Sequence, residues 1–168
     1  SQDQFTYDGA YNISSQNDDG TIYSYTSNSN NQLVSRSGGT AINFTHDADG
    51  NLTGDGSHTF SFSIKSQLLH VDNGNTASYA YDALGRRVSK TVGANVTNFF
   101  YADNVLIEEF DGTGSLLTSY YYGPTLDEPV AMDKGGNRYF FHQNAQSRVI
   151  AITDSNGVVV ERYGYDGF

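Results

Sequence analysis

The chain has 168 residues, of which 37% are hydrophobic, 14% aromatic and 17% charged, and its formal net charge is −10. This aromatic content argues against a disordered chain, and the acidic balance disfavours nucleic-acid binding, which needs clustered Lys and Arg. No run of 18 apolar residues is present, so we expect no membrane insertion, and the lack of cysteine excludes disulfides and zinc–thiolate sites.

Aromatic residues recur along the whole chain at an interval of about 20 residues. A fixed interval of this size is typical of one small supersecondary unit stacked many times. The recurring positions, with His46 counted as an aromatic equivalent, are Tyr7, Tyr25, His46, Phe62, Tyr81, Tyr101, Tyr122, Phe141 and Tyr163.

The segments between these positions are typical of strands and turns. Residues 14–40 are rich in Ser, Asn, Gly and Asp and predict long turns. Strand patterns with alternating or β-branched and aromatic residues follow at 60–64, 79–81, 88–92, 97–101, 116–122, 138–142 and 158–163. Gly, Asn and Asp separate them, as tight hairpin turns require. Residues 143–149 are the one place where a short helical turn is predicted.

Two strands of five to seven residues and two turns fill about 20 residues, so the repeat unit is one hairpin. The predicted fold class is therefore all-β. Antiparallel β-hairpin repeats of about 20 residues would form a curled sheet, a partial shell or a small barrel. We predict a single domain over residues 1–168.

The segment Tyr81-Asp82-Ala83-Leu84-Gly85-Arg86 resembles the YD repeat, Y-D-x-x-G-R/N, of the Rhs family. That family includes bacterial Rhs polymorphic toxins, C components of insecticidal toxin complexes, wall-associated YD-repeat proteins and animal teneurins. Weaker copies lie at 7–12 and 46–51, and the segments 122–129, 152–157 and 162–168 also match the family. The pattern around His142 departs from the family, because only the histidine of its H-x-D-x-L-G-S segment is kept.

The resemblance implies hairpin strips that spiral into a hollow shell, which encloses a separate domain or presents an adhesive surface. It also implies that the chain is a fragment of a larger secreted or cell-surface protein. The expected partners are other repeats or an enclosed domain of that protein. Exposed sheet edges would also allow self-association.

The motif residues have a structural interpretation. The Tyr ring would pack on neighbouring hairpins, the Asp carboxylate would accept turn N–H groups, the Gly would adopt an unusual φ, and Arg86 would leave the turn. The residues to which we assign this role are Tyr7, Asp8, Tyr81, Asp82, Gly85, Arg86, Tyr165 and Asp166.

The sequence predicts no catalytic residue, metal site or cofactor. The segment 47–51 has the oxygen ligands of a partial calcium loop, but Asp-Gly and Gly-Asn also explain it as a hairpin turn. The acidic pairs 108–109 and 127–128 are sequence neighbours that would point to opposite faces of a strand, so neither pair forms a glycosidase site alone.

Three functions therefore compete. The first is a non-catalytic structural module of a YD-repeat shell that encapsulates or displays another domain. The second is a carbohydrate-binding or adhesive module that uses exposed Tyr, Asp and Asn, with Tyr120, Tyr121 and Tyr122 as the candidate residues, because alternation along a strand exposes these rings on both faces. The third is a glycosidase or a self-processing enzyme.

Overall fold

The computed structural model describes residues 4–125 and 128–165 and divides the chain into two compact units, Ser1–Ser78 and Tyr79–Phe168. Its described residues are almost entirely β-strands and turns, and their one helical element is a short 3₁₀ turn, Asp72–Gly74. The predicted all-β class with antiparallel hairpin repeats is confirmed. The prediction of one domain stays a prediction.

The first unit contains short strands. They are β1 (Gln4–Tyr7), β2 (Ile13–Asp18), β3 (Thr21–Ser27), β4 (Leu33–Ser37), β5 (Ile42–Asn43), β6 (Thr45–His46), β7 (Leu52–Gly54), β8 (Phe60–Phe62) and β9 (Leu68–Val71). The strands β1 to β5 form one sheet in chain order, β6 and β7 form a separate hairpin, and β8 pairs with β9. The boundary between the units falls within β10 (Ala77–Tyr81).

The second unit contains longer strands. They are β11 (Arg87–Val92), β12 (Asn95–Ala102), β13 (Val105–Asp111), β14 (Leu116–Tyr122), β15 (Pro129–Lys134), β16 (Asn137–Gln143), β17 (Val149–Asp154) and β18 (Val159–Arg162). Each pairs antiparallel with the next, so the unit is a meander. Residues 144–148 form a hairpin turn between β16 and β17, so the helical turn predicted at 143–149 is wrong.

Bulges interrupt the pairing next to many of the turns. In the second unit the register shifts at Phe100/Tyr101, Glu109/Phe110, Tyr121/Tyr122, His142/Gln143 and Ile152/Thr153. Each bulge increases the local twist of its strand, which favours a curled sheet. The strand order in every sheet is linear. The described strands therefore form open sheets, and the small-barrel alternative does not apply to them.

The buried hydrophobic side chains are few among the described residues. In the second unit Phe99, Ala131 and Ile152 are buried, with Thr118 between them in sequence and only 1% exposed. Val71 and Ala77 are buried in the first unit. Most other strand residues are half-buried, as expected for sheets that present both faces.

Candidate functional site

Eight turns among the residues that the structure describes share one backbone geometry. In each, the first residue's N–H donates to the carbonyl of the fifth, and the fourth residue's N–H donates to the carbonyl of the first. This is a type I turn followed by a residue in the left-handed region, a common three-residue hairpin loop. The turns span residues 8–12, 28–32, 47–51, 63–67, 82–86, 111–115, 144–148 and 154–158. The same turn therefore recurs in both units of the chain.

The fourth residue of every turn has a positive φ. Glycine occupies this position in four turns, where φ is 89° at Gly50, 87° at Gly85 and Gly114, and 79° at Gly157. The other four turns place Tyr11, Asn31, Ser66 or Ser147 there, with φ between 55° and 64°. A side chain in this region is strained, so these four turns need compensation from other contacts.

The side chain of the first residue supplies that compensation. In the YD motif, Asp82 Oδ1 accepts the N–H groups of Leu84 and Arg86, both at 2.9 Å. The same two acceptor bonds recur in all eight turns, from Asp8, Asn28, Asp47, Ser63, Asp82, Asp111, Asn144 and Asp154. Asp, Asn and Ser favour turns for this reason.

The same hydrogen bonds explain residues 47–51, which the sequence also offered as a partial calcium loop. Asp47 Oδ1 accepts from the N–H groups of Asp49 and Asn51, and Asp47 Oδ2 accepts from Asn51 Nδ2 at 2.9 Å. Both carboxylate oxygens are occupied by the turn itself. The turn interpretation therefore accounts for this segment.

Arg86 does not leave the turn, contrary to the prediction. Its Nε donates to Asp82 Oδ2 at 2.7 Å, and Nη2 lies 2.7 Å from the same oxygen. Its guanidinium also lies over the Tyr101 ring at 5.0 Å, and Nη1 donates to the Asp103 carbonyl. Arg86 thus joins its own turn to the next hairpin, through charge-assisted and cation–π contacts.

The same arginine–tyrosine arrangement recurs at the end of the second unit. Arg86 and Arg148 are both the fifth residue of their turns, and Arg148 lies 5.5 Å over the Tyr165 ring. The hydroxyl of Tyr101 donates to the carbonyl of Arg87, and that of Tyr165 to the carbonyl of Val149, the residues after those two arginines. Tyr165 therefore anchors a strand end. Asp166, predicted with it, lies outside the described residues.

The three consecutive tyrosines of β14 differ in exposure, since Tyr121 is exposed whereas Tyr120 and Tyr122 are half-buried. Tyr120 donates to Glu109 Oε1 at 2.9 Å, and Tyr122 donates to the Leu106 carbonyl at 2.8 Å. Tyr121 is 43% exposed and donates to Asp133 Oδ2 at 2.8 Å. Each hydroxyl thus stabilises a neighbouring strand, and Tyr121 is the one whose ring is accessible.

Tyr121 belongs to a small charged network. Arg138 donates from Nε and Nη2 to the two Asp133 oxygens, each at 2.7 Å, and its guanidinium lies 5.0 Å over the Tyr121 ring. The bonds from Arg138 and Tyr121 lower the pKa of Asp133 to about 2. The bond to Asp133 in turn raises the pKa of Tyr121. One face of the exposed ring is therefore covered by a cation.

The turn carboxylates are kept ionised. The Asn12 side chain and turn N–H groups lower the pKa of Asp8, and Asn51 does the same for Asp47. Partial desolvation opposes ionisation of Asp82, but the bonds and charge of Arg86 outweigh it and lower the pKa. Carboxylates held in this state do not act as general acids near neutral pH.

The remaining motif tyrosines lie at strand ends. Tyr7 ends β1 and is 58% exposed, and Tyr81 ends β10 and is half-buried.

The sequence did not identify the turns that begin at Asn28, Ser63 and Asn144, because none has glycine at its fourth position. A side-chain acceptor followed three residues later by Asn or Ser is the signal that could have found them.

Within the part of the chain that the structure describes, no group of three or more His, Asp or Glu side chains could hold a metal ion. No helix among these residues is long and apolar enough to cross a membrane.

Comparisons with known proteins agree with this geometry. The Teneurin YD-shell family model matches residues 1–168. The chain is 36% identical over 130 residues to the tRNA3(Ser)-specific nuclease WapA of Bacillus spizizenii, and 30% identical over 136 residues to Teneurin-3 of Mus musculus. These alignments cover 74% and 76% of this chain but only 6% and 5% of the two relatives.

A solved structure, TcdB2-TccC3-TEV, has a similar fold. It matches 91% of this chain and 11% of its own, with a TM-score of 0.50 and 12% sequence identity. At that identity the match concerns the fold alone.

Proposed function

This chain belongs to the Teneurin YD-shell family, and we propose that it is a non-catalytic structural module that encloses or displays another domain of a longer protein. The observation that carries the proposal is the use of polar side chains in the repeated turn. Asp8, Asp47, Asp82, Asp111 and Asp154 all direct carboxylate oxygens to N–H groups of their own turns. Side chains used in this way hold a scaffold together.

The small share of the relatives' length that this chain covers supports the same proposal. The chain spans 6% of the length of WapA and 5% of Teneurin-3, so the nuclease activity in the name of WapA belongs to a far longer protein. A net charge of −10 also opposes contact with a polyanion such as tRNA. We propose that the shared segment supplies the housing and that any catalytic domain lies elsewhere in the parent protein.

Incubation of the purified chain with substrates tests the non-catalytic assignment. We expect no cleavage of tRNA, no release of sugar from a polysaccharide panel, and an unchanged intact mass after days of storage. Turnover that persists after a second purification step would contradict the proposal. It would favour the glycosidase or self-processing alternative instead.

Carbohydrate binding by Tyr120, Tyr121 and Tyr122 is the second candidate function. It is favoured by the exposed ring of Tyr121 beside the Asp133 carboxylate, since rings stack on sugars and carboxylates accept hydroxyls. It is opposed by Arg138, whose guanidinium already covers one face of that ring. A glycan array with wild type and Tyr121→Ala tests this candidate function, because a lectin loses specific binding in a variant that circular dichroism shows to be still folded.

The proposed partners and location follow from the shell assignment. Other repeats, or the enclosed domain, would contact the sheets, and exposed strand edges would allow self-association. The strand β18 is the last in the order of its sheet, so among the described strands it offers an edge suited to such pairing. We propose a secreted or cell-surface parent protein, which fractionation of cells that produce it would test.

A further inference from the structure

The sequence contains two Asn-Gly steps, 73–74 and 156–157, and they lie in turns of different geometry. At such a step the glycine nitrogen can attack the carbonyl of the Asn side chain, because no Cβ on the glycine blocks the approach. The reaction converts the amide to an acid and needs no oxidant or cofactor. Its rate in a folded chain therefore depends on how firmly each turn holds the two reacting groups.

The step at 156–157 is held by hydrogen bonds. The Gly157 N–H donates to the Asp154 carbonyl at 3.1 Å, so the attacking nitrogen is occupied by the turn. The Asn156 N–H donates to Asp154 Oδ1 at 2.9 Å, and the Asn156 side chain also bonds to Asp154. Gly157 adopts its φ of 79° without a side chain to strain it. Both reacting groups are thus restrained by the same aspartate.

The step at 73–74 lacks these restraints. The turn is closed by the N–H of Asn75, which donates to the Asp72 carbonyl at 3.0 Å, and the Gly74 N–H donates to no group among the described residues. Asn73 is exposed, and both Asp72 and Asn73 have a φ of 54°, where a side chain is strained. A strained turn with few hydrogen bonds opens locally more readily than the rest of the fold.

A histidine–serine pair lies against the second residue of this step. His70 and Ser78 are directly opposite each other on β9 and β10, and His70 Nδ1 lies 3.1 Å from Ser78 Oγ. A Cβ added to Gly74 would lie 2.9 Å from Ser78 Oγ and 3.6 Å from His70 Nδ1, whereas one added to Gly157 would meet nothing within 4 Å. Imidazole is the side-chain group that most often acts as a general base. The pair is therefore placed to take a proton from Gly74.

We propose that Asn73 is a site of deamidation, and that the His70–Ser78 pair assists it. The Gly74 nitrogen bonds to Asn73 Cγ and gives its proton to the pair. The bond between Cγ and Nδ2 then breaks, and the amide leaves as ammonia with the proton that the pair returns. Water opens the resulting succinimide at either carbonyl, which leaves aspartate or isoaspartate at this position.

The product changes the turn beside Asp72. Asp72 Oδ1 accepts the Thr59 N–H at 3.0 Å, and Oδ2 accepts the Thr76 hydroxyl at 2.5 Å. Deamidation adds a negative charge at the next residue, and isoaspartate also lengthens the backbone by a methylene group. We therefore expect the deamidated chain, separated by anion exchange, to unfold at a lower urea concentration than the unmodified chain.

The test is an incubation of the full chain for weeks at neutral pH and body temperature, followed by digestion and mass spectrometry of both steps. We expect Asn73 to deamidate at least about tenfold faster than Asn156, the effect of one hydrogen bond. Asn156 is an internal control, because it has the same dipeptide in the same molecule. In urea, where neither turn is formed, the two rates should become similar. The chain stays uncut, which separates this reaction from self-cleavage during storage.

A variant of the base tests the role of the pair. His70→Gln removes the imidazole and should slow deamidation at Asn73 severalfold, with the rate at Asn156 unchanged. His46→Gln is the matched control, because it removes an imidazole at the end of β6 in the same unit, and it should deamidate like wild type.

Two results would overturn the inference. Equal rates at Asn73 and Asn156 in the folded chain would overturn the site, and equal rates at Asn73 in wild type and His70→Gln would overturn the role of the pair. If His70→Gln fails to fold, the comparison of folded and urea-treated wild type decides the question. Neither result affects the shell assignment, which rests on the repeated turn.

Discussion

The two units build the same turn from different residues. In the second unit, three of the four repeated turns have Gly at the left-handed position, namely Gly85, Gly114 and Gly157. In the first unit only one of four does, and the others place a tyrosine, an asparagine and a serine there. The second unit also has longer strands, of four to eight residues against two to seven.

This difference shows which parts of the motif the turn requires. The acceptor at the first position is present in all eight turns, whereas glycine at the fourth is not. The turn therefore depends on its side-chain acceptor and tolerates strain at the left-handed residue. Because the first unit combines more strained turns with shorter strands, we expect it to be the less stable of the two.

Core packing in the second unit gives the largest expected effect. Phe99 is 8% exposed, and the Arg87 guanidinium lies 4.7 Å over its ring. Phe99→Ala should lower the free energy of unfolding by about 3–5 kcal/mol in urea denaturation, from lost burial and a new cavity. The control is Phe100→Ala at a 52% exposed ring that contacts Phe110 edge-on. Phe100→Ala should lower the free energy of unfolding by about 1 kcal/mol. Equal losses of free energy in the two variants would contradict the placement of Phe99 in the core.

Removal of the side-chain acceptor at the first turn position should give the second largest loss of stability. Asp82→Ala removes the acceptor of the Leu84 and Arg86 N–H groups and the partner of the Arg86 guanidinium, so the urea midpoint should fall clearly, though by less than for Phe99→Ala. Asp82→Asn keeps an acceptor oxygen and loses the charge, so it should lie between wild type and the alanine variant. An alanine variant as stable as wild type would contradict the role of the acceptor.

A substitution at the left-handed residue of a turn should lower the free energy of unfolding by a smaller amount. Gly157 has a φ of 79°, and a Cβ added to it would meet nothing within 4 Å, so Gly157→Ala isolates backbone strain. We expect a loss of about 1–2 kcal/mol by thermal or urea unfolding. Tyr11→Gly in the first unit relieves the same strain but gives the unfolded chain more freedom, so it should be neutral or stabilise by up to about 1 kcal/mol. A neutral Gly157→Ala would show that the positive φ is not required.

The smallest expected effect is a pH dependence that comes from one histidine–aspartate pair of the first unit. His58 Nδ1 lies 2.8 Å from Asp72 Oδ2, and this bond raises the pKa of His58. The Thr76 hydroxyl, the Thr59 N–H and His58 lower the pKa of Asp72 to about 2.

The two shifts act in opposite directions with pH. The stability from His58 is complete below its unfolded pKa of about 6.5 and is lost as pH rises through the higher folded value. The stability from Asp72 is complete above about pH 4 and is lost as pH falls toward 2. The urea midpoint should therefore fall modestly above pH 6.5 in wild type and less in Asp72→Asn. The same decline in both proteins would rule out this pair as its cause.

The sequence predicted the hairpin repeat and the YD turns because both depend on local chemistry. Tyr81–Arg86 contains Asp and Gly at the two positions that fix the backbone, so its turn could be identified directly. The turns at Asn28 and Ser63 were missed because their weaker turn formers lack a glycine. The contacts of Arg86 and of the β14 tyrosines join residues 11 to 16 positions apart, which strand pairing brings together, so they leave no local pattern in the sequence.

Limited proteolysis of the longer protein that we propose as the parent is the most direct test of the shell function. The module should protect its neighbouring domain in the wild type, and Phe99→Ala should make that domain as sensitive to protease as the isolated domain is. If the domain is cut at the same rate in the wild type as in isolation, the module does not enclose it. That result would contradict enclosure and favour a displaying role.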